Sequence, residues 1–214
     1  MKKILFVINT MGRAGAEISL LNLLQKMEGY NVSLYVLLDQ GEIMQEVPAY
    51  VRIINQSFNT ASVLTKEGRL RLVKTVLKAF FRNGKCIGKL GYILKNFIIM
   101  LKRRRVQIDK LLWWTVAEGA TRFEEDFDLA VAWLEGGAAY YAVKFVKARK
   151  KVAFIHIDYS EAGYSRNLDK ECYLKFDHIF TVSENVKEKF VQVYPECIQK
   201  TAVFYNLIDV EKII

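Results

Sequence analysis

His156 stands at the end of a short apolar run, residues 152–155, and is followed by Ile157-Asp158-Tyr159. A histidine leaving a buried strand can hydrogen-bond a substrate or exchange a proton near neutral pH, and it can equally be a structural imidazole. Glu135-Gly136-Gly137 follows a second apolar run, residues 128–133. Its glycines let the loop approach something closely, and Glu135 suits either sugar hydroxyls or the cap of a helix expected at 138–148. Gly12-Arg-Ala-Gly15-Ala-Glu17 lies between an apolar run at 4–8 and a leucine-rich segment. Glycines there admit a ligand to the backbone, and a following helix offers free N–H groups to an anion. The same loop also reads as a plain tight turn. It holds neither the Gly-x-Gly-x-x-Gly dinucleotide fingerprint nor a P-loop. In Thr181-Val-Ser183-Glu184, Ser183 is expected to cap a helix starting near 185, with direct ligand contact as the alternative. His178 falls at the amino end of its strand, the wrong edge for a ligand, and reads as structural.

These residues need elements that deliver them to one edge. Apolar runs at 4–8, 32–38, 51–54, 128–133, 151–155 and 179–182 have strand length, and most are followed by helical periodicity. Continuous apolar strands alternating with helices predict a parallel sheet covered on both faces. The expected fold class is therefore α/β: a doubly wound, Rossmann-like parallel sheet with a helical insertion. In such sheets ligands sit at the carboxyl ends of the strands, where every loop named above falls. The insertion, at about 62–120, reads as helices. Leu70, Val73, Val76/Leu77 and Phe80/Phe81 form one stripe, and Arg71, Lys74, Lys78 and Arg82 form another.

The bulk numbers bound the possibilities. At 214 residues and 52% hydrophobic, the chain is long enough for one large α/β domain. The apolar run near the N-terminus is too short for a signal peptide, and no run has the length of a membrane span. Three widely spaced cysteines, Cys86, Cys172 and Cys197, argue against disulfides or a zinc site and fit a reducing compartment. Net charge is +9, but residues 66–110 alone hold 14 Lys/Arg against two acids, a local +12 that leaves the remainder at −3. Basic helices interleaved with apolar residues suit an anionic bilayer, and no nucleic-acid-reading motif is present.

Taken in order, these residues resemble the N-terminal half of family 4 (group 1) retaining glycosyltransferases of the GT-B fold. Ala14-Gly15-Ala16-Glu17 before a leucine-rich helix is similar to the family's Gly-Gly-Ala-Glu opening, with alanine for the first glycine. Glu135-Gly136 before an aromatic-rich helix, and Ile155-His156-Ile157-Asp158-Tyr159, resemble its acceptor-side loops. Asp177-His-Ile-Phe-Thr-Val-Ser-Glu184, with Lys187 and Phe190, looks like its "D-x-I-x-x-V-S-E" strand and helix. Residues 200–209, ending Asn206-Leu-Ile-Asp, look like the segment that enters the interdomain hinge.

The resemblance implies a division of labour. Residues 1–209 would form the acceptor-binding domain, 210–214 would begin the hinge, and a C-terminal domain absent from this sequence would bind the nucleotide-sugar. The full-length enzyme would move a sugar to a glycan or lipid-linked acceptor with retention, and this part alone would be inactive. No cofactor and no metal are implied. His156 would be catalytic, with Gly12, Gly15, Glu17, Glu135, Gly136, Asp158, Ser183, Glu184 and Asn206 touching substrate. Lys74, Lys78, Arg82, Lys102, Arg103, Arg104 and Arg105 would rest on the inner face of an anionic membrane, giving a cytoplasmic, peripheral location in polysaccharide or glycolipid synthesis. Two rivals stand beside this reading. One is a dinucleotide-binding oxidoreductase, in which Asp39 at the end of the second strand would hold a ribose. The other is a non-catalytic peripheral-membrane module.

Overall fold

The computed structural model describes residues 1–60, 65–81, 86–102, 104 and 106–207. Seven strands form one parallel sheet: β1 (Lys3–Ile8), β2 (Asn31–Val36), β3 (Arg52–Ile53), β4 (Asp126–Ala132), β5 (Lys147–Ile155), β6 (His178–Thr181) and β7 (Thr201–Val203). Their order is β3-β2-β1-β4-β5-β6-β7, so the winding reverses between β1 and β4. Beyond its first residue β1 is buried throughout, as a strand covered on both faces must be. One core face holds Leu20, Leu21 and Leu24 of α1 (Gly15–Leu24) against Ile4, Phe6 and Val131. The opposite face holds α4 (Ile108–Gly119), α5 (Gly137–Phe145) and α7 (Glu184–Val193). This is the doubly wound sheet that the alternating apolar runs predict.

Two details differ from expectation. The helix expected at 138–148 ends at Phe145, and Lys147 opens β5. Lys147 and Lys150 pair in register with Asp126 and Leu129 of β4. Their charge hides the strand in the sequence because this end of β5 projects beyond the covered part of the sheet. The second difference lies in the insertion, which holds α2 (Lys66–Phe81), α3 (Cys86–Lys102) and α4 between β3 and β4. The apolar residues read as one stripe divide between two faces. Val76 of α2 and Ile93, Phe97 and Met100 of α3 pack on the core. Leu70, Val73, Leu77 and Phe81 of α2, with Leu90, Leu94, Ile98 and Leu101 of α3, are 44–68% exposed. Helix α4 forms the floor of the insertion and buries Leu111, Trp114, Val116 and Ala117. Arg82, Arg103, Arg105 and the hinge at 210–214 lie outside the described residues.

The insertion is tied to the domain by α6 (Arg166–Asp169). The Leu168 carbonyl accepts from Tyr92 Oη at 2.6 Å and from Trp114 Nε1 at 2.8 Å. Trp114 stacks on Tyr140 with ring centroids 4.4 Å apart, and the Lys170 ammonium lies 4.4 Å from the Trp114 ring. Asp169 is fully buried and accepts from Tyr140 Oη at 2.6 Å, Tyr194 Oη at 3.2 Å and Tyr159 Oη. Burial pushes its carboxyl up to about 7, against three hydroxyls that favour the charged form.

Unfolded, this carboxyl titrates near 3.8. Between the two values the folded chain keeps a proton that the unfolded chain releases. The stability this group contributes is therefore complete below about pH 4 and lost as pH rises through about 7. Asp169→Asn should shrink the loss of stability between pH 5 and pH 8 by roughly 2 kcal/mol, read from urea denaturation at each pH.

Candidate functional site

The strongest set of contacts at the carboxyl edge of the sheet sits at the switch point between β1 and β4. Asn9, the residue after β1, is buried. Its Nδ2 donates to the Glu135 carbonyl at 3.0 Å and its Oδ1 accepts from the Ala138 N–H at 2.8 Å. Helix α5 has no cap from its own preceding side chains, so Asn9 supplies one from another strand. Glu135 does not cap α5 through its carboxylate, one of its two expected roles. That carboxylate turns to β5 and accepts from Ile157 N at 3.1 Å and from His156 N. Burial raises its pKa to about 7 while those N–H bonds oppose the shift. A single acidic side chain thus fixes the backbone that presents His156.

The imidazole itself is packed beside Trp133, 5.3 Å away between ring centroids, and near Phe154. Trp133 Nε1 in turn donates to the Ala16 carbonyl at 2.8 Å, linking β4 to the start of α1. Both His156 ring nitrogens are buried, and neither makes a well-formed hydrogen bond; the Trp133 backbone is the polar group that acts on the ring. Burial lowers the ring pKa to about 4, and the nearby Trp133 backbone only partly offsets this. At neutral pH it is therefore an uncharged imidazole with a donor and an acceptor to offer, not a standing cation.

Gly136 and Gly137 do come close to something: Trp113 of the insertion, with Tyr164 beside the first and Asn9 and Leu37 beside the second. A Cβ on Gly136, at φ +73°, would lie 2.8 Å from Trp113 Cδ1, and one on Gly137 would lie 2.7 Å from Trp113 Cε3. Gly12 and Gly15 behave in the opposite way. Neither has a positive φ, and an added Cβ would meet nothing within 4 Å. The fold has no use for glycine there, so the loop leaves its backbone open. Glu17, in the first turn of α1, is buried, with its pKa raised by desolvation and Thr10 Oγ1 3.5 Å away.

The remaining candidates are held by local structure. Asp158 Oδ1 accepts from Ser160 N, Ser160 Oγ and Glu161 N, closing its own turn, and the Glu161 N–H is the main cause of its lowered pKa. Ser183 caps α7 by accepting from Val186 N at 3.2 Å, as expected, and the helix begins one residue earlier, at Glu184. Glu184 is exposed and faces Lys187 at 3.9 Å. Asn206 lies past β7 and accepts from Ser19 Oγ of α1 at 3.0 Å. Asp39 is bonded to Asn55, which also bridges both backbone groups of Val36. Lys74, Lys78, Lys102 and Arg104 are exposed. Among the described residues no group of three or more His, Cys, Asp or Glu side chains converges to hold a metal. Asn9 was not singled out in the sequence. Its only signal is an amide placed directly after a buried strand.

No protein-family model matches this chain, and neither does any curated protein. Among solved structures it is similar to Anabaena HepE, a crystal structure in complex with UDP and glucose. The TM-score is 0.52 at 15% sequence identity, over 99% of this chain and 46% of HepE. The chain thus spans about half the length of the solved structure it matches. At this identity the likeness establishes the fold alone, a doubly wound parallel sheet shared with about half of HepE.

Replacing Asn9 with alanine leaves the Ala138 N–H and the Glu135 carbonyl buried and unpaired. Asn9→Ala should lower stability by about 2–4 kcal/mol, seen as a lower urea midpoint at unchanged slope.

Proposed function

We propose that this chain is the acceptor-binding half of a retaining glycosyltransferase that draws its sugar from a nucleotide-sugar held by a second domain. The observation that carries the reading is His156: an uncharged imidazole whose buried nitrogens meet no polar group but the Trp133 backbone, set at the carboxyl edge of a fold shared with half of HepE, whose crystal structure holds UDP and glucose. The open Gly12–Gly15 loop at the head of α1 supports an approach by donor phosphates or acceptor. In this reading His156 hydrogen-bonds the transferring sugar, and Glu135 positions His156 through the backbone. Asp158 and Ser183 act through the turns they close, leaving Gly12, Gly15 and Glu17 nearest to substrate. The oxidoreductase reading has less support, because the Gly12–Gly15 loop lacks the Gly-x-Gly-x-x-Gly spacing that brings a backbone against a dinucleotide pyrophosphate.

We further propose that the insertion rests on an anionic membrane bearing the acceptor. No helix among the described residues is long and apolar enough to cross a bilayer. The support is a surface on α2 and α3 where eight large apolar side chains stand exposed among Lys66, Lys74, Lys78, Lys95 and Lys102. Exposed apolar area of this kind marks an interaction surface, and each basic residue near an anionic bilayer contributes about 1 kcal/mol.

Two experiments test these readings. In the full-length protein containing this chain, His156→Ala should cut kcat for transfer from a nucleotide-sugar panel by roughly 100-fold or more, with the fold intact by circular dichroism. Unchanged turnover would return His156 to a structural role, and NAD binding without any transfer would favour the oxidoreductase. For the surface, Leu77→Glu combined with Leu94→Glu should reduce co-sedimentation with phosphatidylglycerol vesicles by about tenfold or more. Binding equal to wild type would sink the membrane assignment.

A further inference from the structure

A second concave site lies beside the Gly12 loop, between the turn after β2 and the insertion. It is a polar pocket of about 280 Å³ whose lining includes Asp39, Gln40, Ser57, Phe58, Lys74 and Thr75. Its size falls near the lower end of the roughly 300–1,000 Å³ typical of small-molecule sites. The walls are built, not incidental. Residues 39–41 and 59 are stitched by Asn59 N donating to the Asp39 carbonyl at 2.9 Å and Gly41 N donating to the Asn59 carbonyl at 3.0 Å. Helix α2 is held across the pocket by Gln40 Nε2, which donates to the Gly68 carbonyl at 3.1 Å. The wall is tied to the loop after β1, since Met11 N donates to the Gln40 carbonyl at 2.9 Å.

Gln40 is the decisive residue. It is 4% exposed, and while its amide nitrogen is used, its Oε1 is buried with no partner. The amide cannot be flipped to relieve this, because Oε1 would then face the Gly68 carbonyl oxygen, acceptor against acceptor. A buried acceptor left unpaired is disfavoured unless something outside the protein donates to it. The Asp39 carboxylate adds a second acceptor on the same wall, which disfavours an anion. Thr75 and Ser57 add hydroxyls, Lys74 a donor, and the half-buried Phe58 an apolar face. A lining that combines acceptors, hydroxyls, one ammonium and one aromatic side chain matches a neutral ring bearing several hydroxyls.

We infer that this pocket holds one uncharged sugar ring of the acceptor, with Gln40 Oε1 and the Asp39 carboxylate accepting hydrogen bonds from its hydroxyls. The assignment of that ring to the acceptor rests on the function proposed above; the pocket's chemistry does not.

The test is an NMR titration of the ¹⁵N-labelled chain with methyl glycosides of glucose, galactose, mannose and N-acetylglucosamine, with inorganic phosphate in parallel. At least one glycoside should saturably shift the Gln40 side-chain amide and the Thr75 backbone amide. Thr75→Val and Asp39→Asn should each weaken it about fivefold or more. Asp39 has a positive φ of 51°, which asparagine tolerates, so the second variant keeps the turn. No shift from any glycoside at about 50 mM, tens of times above a millimolar Kd, would overturn the inference. So would shifts from phosphate alone, or unchanged affinity in both variants. Sugar transfer by the full-length protein with an unresponsive pocket would remove the pocket and keep the transferase. A responsive pocket without transfer would do the reverse.

Discussion

One asparagine amide holds the working edge together. Where the winding reverses, β1 and β4 lie side by side, but their following loops diverge to opposite faces and share no ladder. Asn9 spans that gap with one donor and one acceptor, both directed to backbone groups of the β4–α5 connection. With that connection fixed, the Glu135 carboxylate can reach only the end of β5, and the His156 backbone follows. The chain of dependence runs from the residue after β1 to the backbone of His156 two strands away, through buried and part-buried hydrogen bonds whose loss would leave unpaired polar groups. The position of the His156 backbone is thus set by the sheet and the two connections it holds.

Much of this was legible in the sequence, and the reason is periodicity. Buried parallel strands write continuous apolar runs, so β1, β2, β4, β6 and the second half of β5 stand out in the chain. The placement of His156 and Glu135 at the carboxyl edge follows from those runs alone. Ser183 was legible as a cap because serine before a helix has a local reason to be there. What escaped was non-local. Asn9 caps a helix 129 positions away, and the destination of the Glu135 carboxylate depends on which strand neighbours β4. Gly136 and Gly137 announced a close approach in the sequence, but only packing identifies its object as Trp113. The amino end of β5 was masked by Lys147, Arg149, Lys150 and Lys151, charged residues that a strand can carry once it projects past its covering helices.

The insertion has two faces with different physics. Its inner face is a network of aromatic stacking and charge-assisted contacts around Leu168, Asp169 and Lys170, which lie in the loop region after β5. Its outer face breaks the usual rule that an amphipathic helix turns its apolar stripe inward. Helices α2 and α3 each divide their apolar residues, sending Val76, Ile93 and Phe97 to the core and leaving a parallel set in solvent. Sequence periodicity cannot tell these sets apart, because both recur at helical spacing. A helix with apolar residues on two sides is one that expects two neighbours.

The contact between Trp113 and the two glycines has a bearing on modularity. An insertion between β3 and β4 looks, on a topology diagram, like a cassette that could be excised or exchanged without disturbing the sheet. The indole of Trp113 occupies the space where Cβ atoms of residues 136 and 137 would otherwise sit. It therefore serves as the lid of the switch-point loop as well as a residue of α4. Swapping the insertion for one from another protein would replace that lid, and the glycine loop would face a surface it was not shaped for. The exposed apolar face of the insertion and the packing of the switch-point loop are thus inherited together, as a single unit of sequence.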